Sequence, residues 1–381
     1  MSQSSFFDTQ WSADSVEFCP HPDATDIFVC GTYQLQQDPR PEVEEAHPAD
    51  DDLAEEDPYP ILDIVGKPQT RLGKCLVFET SYETDEFKNI QEFPLPAILD
   101  MKWCFTTQSR SPLLAIADAE GQVSLHDWDL EARSLKQSSV IKCAEQSVLC
   151  LSLDWSNRRN PTDTMGSLVV SLSNGKLALL QPNPDTGLTV TDTWHAHDYE
   201  PWVAAWDYWH TDTIYSGGDD LKLKVWDIRQ GFEKPATVNK RFEAGITSIQ
   251  SHPHVEHIFA VGSYDNTVRL FDSRKLLTPL TQADVHGGAW RVKWHPDPNR
   301  QHDLLVAAMH SGFKVRQPPI GEKWQIAKSY DEHESLAYGV DWSYRGSESW
   351  GKNGSVDEEG RGNTLIASCS FYDHALRTWR G

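Results

Sequence analysis

The sequence is short of positive charge. Its 34 Lys and Arg stand against 57 Asp and Glu, a formal net charge of −23 with a pI near 5.0. A binder of phosphate backbones needs a Lys/Arg face to displace counterions, so nucleic acid is not an expected partner. No apolar run approaches the length of a membrane span, and MSQSSFFDTQW lacks a basic-then-apolar leader pattern, so no membrane is expected either. The seven cysteines (19, 30, 75, 104, 143, 150 and 369) are odd in number, have no CxxC spacing, and mostly sit in apolar runs such as Ile27-Phe28-Val29-Cys30. Buried free thiols in a reducing, cytoplasmic compartment are the simplest account. Long amphipathic helical periods are hard to find. Also missing are a GxSxG elbow, an HExxH pair, a Walker loop and a Rossmann glycine pattern. His195-Ala196-His197 has the spacing of a metal pair on a strand, but no third ligand is identifiable, so neither a metal nor another cofactor is expected.

What is plentiful is Trp, Gly and Pro, which favours an all-β architecture. Tyr215 to Asp227 reads as strand, Gly/Asp turn, strand, closed by Trp226-Asp227, and FAVGSYDNTVRLFD (259–272) repeats it. Seven such units align on Phe78, His126, Leu180, Trp226, Phe271, Arg316 and Trp379, separated by 45 to 63 residues. Each pairs an alternating strand, often ending in Trp, with a His-Pro or Asx turn, a buried strand, a Gly/Asp turn and a second alternating strand. The expectation is a single seven-bladed β-propeller of the WD40 type over residues 1–381.

Two stretches interrupt the repeat. Residues 38–60 carry ten acidic side chains against one Arg, cannot bury apolar area, and read as a disordered insertion in the first blade. A Gly- and Glu-rich insertion occupies 343–363 of the last. The last unit stops at Gly381, right after its third strand, so a segment near Ser4–Gln10 is expected to supply the fourth and close the ring.

The turns between second and third strands share a rim with the connections into the next blade. His195, His197, His286, His310, His333 and His374 fall on that rim, with Asp219, Asp220, Asp265, Asp331 and Asp373. His21, His252 and His295 belong instead to His-Pro turns on the other rim. In blades of this kind an Asp of the turn often hydrogen-bonds a His of the preceding connection, and Asp220, Asp265 and Asp373 suit that structural work. His310 breaks the repeat by standing where Asp or Asn would suffice. Gly287-Gly288, before Trp290-Arg291, are expected to open space at the rim. A His–Asp pair activating water, with Arg or backbone N–H groups for the oxyanion, is the chemistry such residues offer. Ser311, Ser370 and Cys369 are the available nucleophiles.

GGDDLKLKVWDIR (217–229), GSYDNTVRLFDSR (262–274), HGGAWRVKWHP (286–296), LLVAAMHSGFKV (304–315), SLAYGVDWS (335–343) and ASCSFYDHALRTW (367–379) resemble the WD-repeat diphthine methylesterase family of diphthamide biosynthesis. The likeness is strongest over 200–381. It implies hydrolysis of the methyl ester of methylated diphthine on translation elongation factor 2, releasing methanol before the amidation step. That substrate, a modified histidine, bears a trimethylammonium group, which ring faces and carboxylates attract; Trp202, Trp290, Tyr338 and Tyr372 are the aromatic candidates. For catalysis the candidates are His310 or His286 as general base, Asp265 or Asp373 as its orienting carboxylate, Arg291 for the oxyanion, and His374 beside them. Two rival readings stand: a non-catalytic WD-repeat scaffold, the usual role of such a fold, and a reader of a cationic modified residue.

Overall fold

The computed structural model describes residues 5–36, 69–81, 84, 86–184, 187–317, 324–345 and 364–381; the acidic insertion at 38–60 and residues 346–363 of the second insertion lie outside them. Among the described residues every regular element is a strand apart from two short 3-10 turns, Pro22–Ala24 and Pro298–Arg300, and the strands form seven four-stranded antiparallel sheets. Each sheet is a blade whose first strand lies innermost. The seven inner strands are Ser12–Phe18, Ile98–Cys104, Cys150–Trp155, Val203–Trp206, Ile246–Ser251, Arg291–Trp294 and Ala337–Trp342. Register confirms the repeat alignment: Phe28↔Phe78, Leu114↔His126, Leu168↔Leu180, Ile214↔Trp226, Phe259↔Phe271, Leu304↔Arg316 and Ile366↔Trp379 are equivalent pairs. Ring closure also follows expectation. Ser5–Asp8 pairs antiparallel with Ala375–Arg380 and completes the seventh blade.

The Trp that ends many inner strands is an inter-blade staple. Trp103, Trp155, Trp206, Trp294 and Trp342 donate their indole N–H to backbone carbonyls of the preceding blade's inner strand, at Glu17, Lys102, Asp154, Gln250 and Lys293. An inner strand has no ladder partner on its channel side, so side chains take up those backbone groups. Asp100, Asp154 and Asp341 accept from Leu153 N, Trp206 N and Phe18 N in this way. The His-Pro turns act similarly. His21, His252 and His295 each accept a local N–H on Nδ1, and their Nε2 reaches Thr107, Gln301 and Thr364, respectively, in the turn of the adjoining blade.

Below the rim a charged network crosses the channel. Glu17 meets Lys102 (3.1 Å), Arg158 (3.5 Å) and Lys293. Burial alone would raise the Glu17 pKa, but the three cations outweigh it and hold it at about 2.

Candidate functional site

The hairpin with which the repeat was defined is held by a buried chain of side chains. Trp226 donates to Ser216 Oγ (2.9 Å), Ser216 bonds His197 Nε2 (2.7 Å), and His197 Nδ1 meets Asp220 (2.8 Å). The seventh blade repeats this through Trp379, Ser368 and His333, whose Nδ1 reaches Asp373 by way of Ser370. Burial lowers the His333 pKa to about 4, keeping the ring neutral. Asp373 also accepts from Glu334 N, and Asp265 is taken up by Arg269 (2.7 Å) and Thr267. Both carboxylates therefore hold their own turns, and neither orients His286 or His310 as expected from the sequence. The carbonyl of His374 accepts from Thr9 and so anchors the closing strand. The His195–His197 pair also separates: His197 is buried in the chain above, while His195 faces solvent beside Asp198 (3.8 Å).

His286 and His310 are exposed on the rim. His286 lies 3.4 Å from the equally exposed Asp284, and among the described residues no hydrogen bond fixes the imidazole of His310. Register does place His310 in the slot of Asp220 and Asp265. The neighbouring cation responds: Lys224 and Arg269 face those carboxylates, whereas the equivalent Lys314 donates to Ser311 Oγ (2.6 Å) and Val285 O (3.1 Å). Burial lowers the Lys314 pKa, and its ammonium donates to the Ser311 hydroxyl and to two carbonyls, so it holds this turn in place of the missing carboxylate. Cys369 is buried, and burial pushes its thiol well above the ordinary value, which makes it inert. Gly287 and Gly288 correct another expectation. A Cβ at Gly287 would sit 2.2 Å from Ala308 O, and one at Gly288 would sit 2.8 Å from Met309 Sδ and 3.1 Å from Tyr264 Cδ1. They permit close approach; they do not open space.

The candidates that do come together line the mouth of the channel. In five blades the inner strand begins with a β-bulge, between Ala13/Ser15, Ile98/Asp100, Cys150/Ser152, Ile246/Ser248 and Ala337/Val340. A bulge frees a side chain from the ladder and re-aims it. In the fourth and sixth blades Trp202 and Trp290 fill the same place, just before Val203↔Gly217 and Arg291↔Ala307. One residue per blade thus surrounds the mouth: Asp14, Leu99, Leu151, Trp202, Thr247, Trp290 and Tyr338. Ring contacts show that Trp202, Trp290 and Tyr338 face inward. Trp202 of the fourth blade meets Trp290 of the sixth at 5.7 Å, past the fifth, and Trp290 meets Tyr338 at 4.8 Å and Tyr264 at 5.9 Å. Phe371 extends the arc from Tyr338 (4.8 Å) to Tyr372 (5.0 Å) and Tyr33 (6.1 Å). All four aromatic candidates therefore lie in one arc, with Tyr372 at its exposed outer end.

The floor of the mouth is ionic. Arg291 reaches across the ring from the sixth blade to the second, 3.6 Å from Asp100 Oδ1 and 3.4 Å from Leu99 O. Asp14 is 5% exposed, and its Oδ1 is buried without a hydrogen-bond partner. Burial raises its pKa to about 7 against the attraction of Arg291, with Asp100 adding to the rise. Its charge also reaches Tyr264 and Tyr338, whose hydroxyl pKa values burial raises. Trp202 Nε1 and Trp290 Nε1 are likewise buried without a hydrogen-bond partner. Native interiors rarely leave such groups unsatisfied, and these three offer water or a ligand in the mouth two donors and an acceptor.

Sequence reasoning missed Asp14, Tyr264, Phe371 and Asp100. The signal was available for Asp14: counting back from each inner strand's paired residues puts it level with Trp202, Trp290 and Tyr338. In the sequence the apolar alternation of that strand is visible only over Ser15–Phe18, which leaves Asp14 outside it.

A scan against family models finds no match. Among curated proteins, diphthine methyltransferase of Homo sapiens is 39% identical over 351 residues, covering 88% of this chain and 74% of that protein. The diphthine methyltransferase homolog of Dictyostelium discoideum is 32% identical over 403 residues, covering 97% and 96%. Among solved structures, a chain of the crystal structure of the mitotic checkpoint complex matches with a TM-score of 0.58 at 14% identity, covering 81% of this chain and 86% of that one; it speaks to the fold alone. With its propeller, its mouth and relatives at these identities over most of its length, the chain belongs to the diphthine methyltransferase family.

Proposed function

We propose that this protein acts in diphthamide biosynthesis, by hydrolysing the methyl ester of methylated diphthine on translation elongation factor 2. The observation that carries this reading is the mouth, where ring faces stand beside a buried carboxylate with a free oxygen and a guanidinium. The trimethylammonium group lies against Trp290, Trp202 and Tyr338, and such cation–π contacts contribute about 0.5–2 kcal/mol. The ester carbonyl faces Arg291. Ionised Asp14 takes a proton from water as its oxygen bonds to the carbonyl carbon. Arg291 stabilises the resulting oxyanion, and collapse breaks the bond to the methoxy oxygen, which receives the proton and leaves as methanol. Seven buried free thiols fit the reducing cytoplasm in which elongation factor 2 works.

The test is incubation with elongation factor 2 carrying methylated diphthine. Methanol equal to the ester lost, with a mass decrease of one methylene on the factor, is the expected result. The name borne by the relatives favours a second reading, in which the protein transfers a methyl group from a donor. A mass increase that needs a methyl donor and releases no methanol would overturn the hydrolytic reading. Binding without any mass change would overturn both and leave a reader of the modified residue.

A further inference from the structure

On the opposite rim, the turns of the fourth and fifth blades bring His210, Glu256 and His257 together, with ligand atoms all within 4.8 Å of one another. Glu256 Oε1 lies 3.5 Å from His210 Nε2 and 3.8 Å from His257 Nε2. Both separations are too long for good hydrogen bonds. They approach the edge of a coordination tetrahedron, about 3.3 Å for metal–ligand bonds of about 2.0 Å. The two imidazoles are nearly parallel, 5.3 Å apart at 8°.

Each ring has something behind it. His257 Nδ1 bonds Ser273 Oγ at 3.2 Å. His210 Nδ1 lies 3.7 Å from Asp207 Oδ2, and that buried carboxylate is itself fixed by Tyr215 OH (2.8 Å), Trp209 N (2.9 Å) and His210 N (3.2 Å). The bond to Ser273 leaves Nε2 of His257 as its ligating nitrogen, the arrangement that orients metal-bound histidines, while Asp207 stands behind His210 as a charged neighbour at 3.7 Å without a hydrogen bond. The three side chains are accessible, at 44%, 49% and 25% exposed for His210, Glu256 and His257.

We propose that His210, Glu256 and His257 bind one divalent transition-metal ion, zinc or a metal of similar preference, with the fourth position open to water. Two imidazoles and one carboxylate oxygen form a borderline donor set suited to zinc and poor for calcium or magnesium. The ion ties the turn after Trp206 to the turn after Ser251, joining two neighbouring blades on the face away from the mouth. It is independent of the hydrolytic reading.

The experiment is titration of chelator-treated protein with Co2+, read by visible absorption, followed by competition with Zn2+. One equivalent with the intense bands of four- or five-coordination, displaced by Zn2+, is the expected result. His257→Ala and His210→Ala should remove that spectrum. Ser273→Ala, which leaves all three ligands in place, should weaken binding about tenfold. These positions are at or near the surface, and circular dichroism of each variant checks its folding. Pale six-coordinate spectra, or binding that survives both histidine substitutions, would overturn the proposal.

Discussion

Asp14→Asn separates stability from catalysis at one atom. Burial displaces the Asp14 pKa from 3.8 to about 7, a preference for the neutral carboxyl of about 4 kcal/mol. The folded value lies above the unfolded one. Stability from the neutral form is therefore fully present below about pH 4 and is lost as pH rises through 7. Asn keeps the shape without the charge, but leaves a buried amide whose unmet hydrogen bonds cost about 1–3 kcal/mol. The variant should be more stable than the parent by about 1–3 kcal/mol at pH 8. That advantage should shrink by about 2 kcal/mol at pH 5.5, where Asp14 in the parent is mostly protonated. Urea denaturation of both proteins across this range measures the difference. The same substitution should lower ester hydrolysis at least a hundredfold, the scale of a lost general base. In the parent, hydrolysis should rise with pH through about 7. Stability curves that stay parallel over the whole range would refute the assignment of a buried, titrating Asp14, and full activity in the variant would remove it as the base.

Trp290→Ala should raise KM for the quaternary ammonium substrate about 3- to 30-fold; steady-state kinetics against a neutral isostere of the ammonium group, which should show little change, checks the cause. His310→Ala and His286→Ala, both exposed and neither engaged by a carboxylate of the mouth, should each change methanol release less than about tenfold. A complete loss in either would return the catalytic base to the rim. Ser216→Ala orphans Trp226 Nε1 and His197 Nε2 and should cost about 2–4 kcal/mol in chemical denaturation while leaving turnover per folded molecule unchanged.

The frame was legible because its causes are local. Two-residue alternation, Gly/Asp turns and terminal Trp recur at a fixed spacing, and all seven aligned positions occupy equivalent register. The site was legible only in part. Trp202, Trp290, Tyr338 and Arg291 stood out as large or charged residues beside broken repeats, and they meet at the mouth. Asp265 and Asp373 misled because a carboxylate in a turn looks the same in sequence whether it meets Arg269, Ser370 or a catalytic imidazole. Asp14 stayed hidden because its partners, Arg291 and Tyr338, lie over 270 positions away and only closure of the ring makes them neighbours. Gly287 and Gly288 show a further limit: glycine tells that something comes close, and only three dimensions tell what.

The strand Ser5–Asp8 that completes the seventh blade gives the molecule a seam. Every other strand pairing joins segments brought together within one blade, whereas this one joins residues about 370 positions apart. Closing a loop of that length costs about 3 kcal/mol more chain entropy than closing a ten-residue hairpin. The seam should therefore be the last pairing to form and the first to open, and amides of Phe6–Asp8 should exchange with solvent earlier than those of Leu365–Ser370. An opened seam bares the strand Ala375–Arg380 as a free edge, an invitation to aggregation, and it loosens the wall that carries Tyr338. The bond from Phe18 N to Asp341 and the packing of Phe18 and Phe28 on Leu365 and Leu376 still hold the first blade to the seventh when this strand is away, so the seam can open without the circle coming apart.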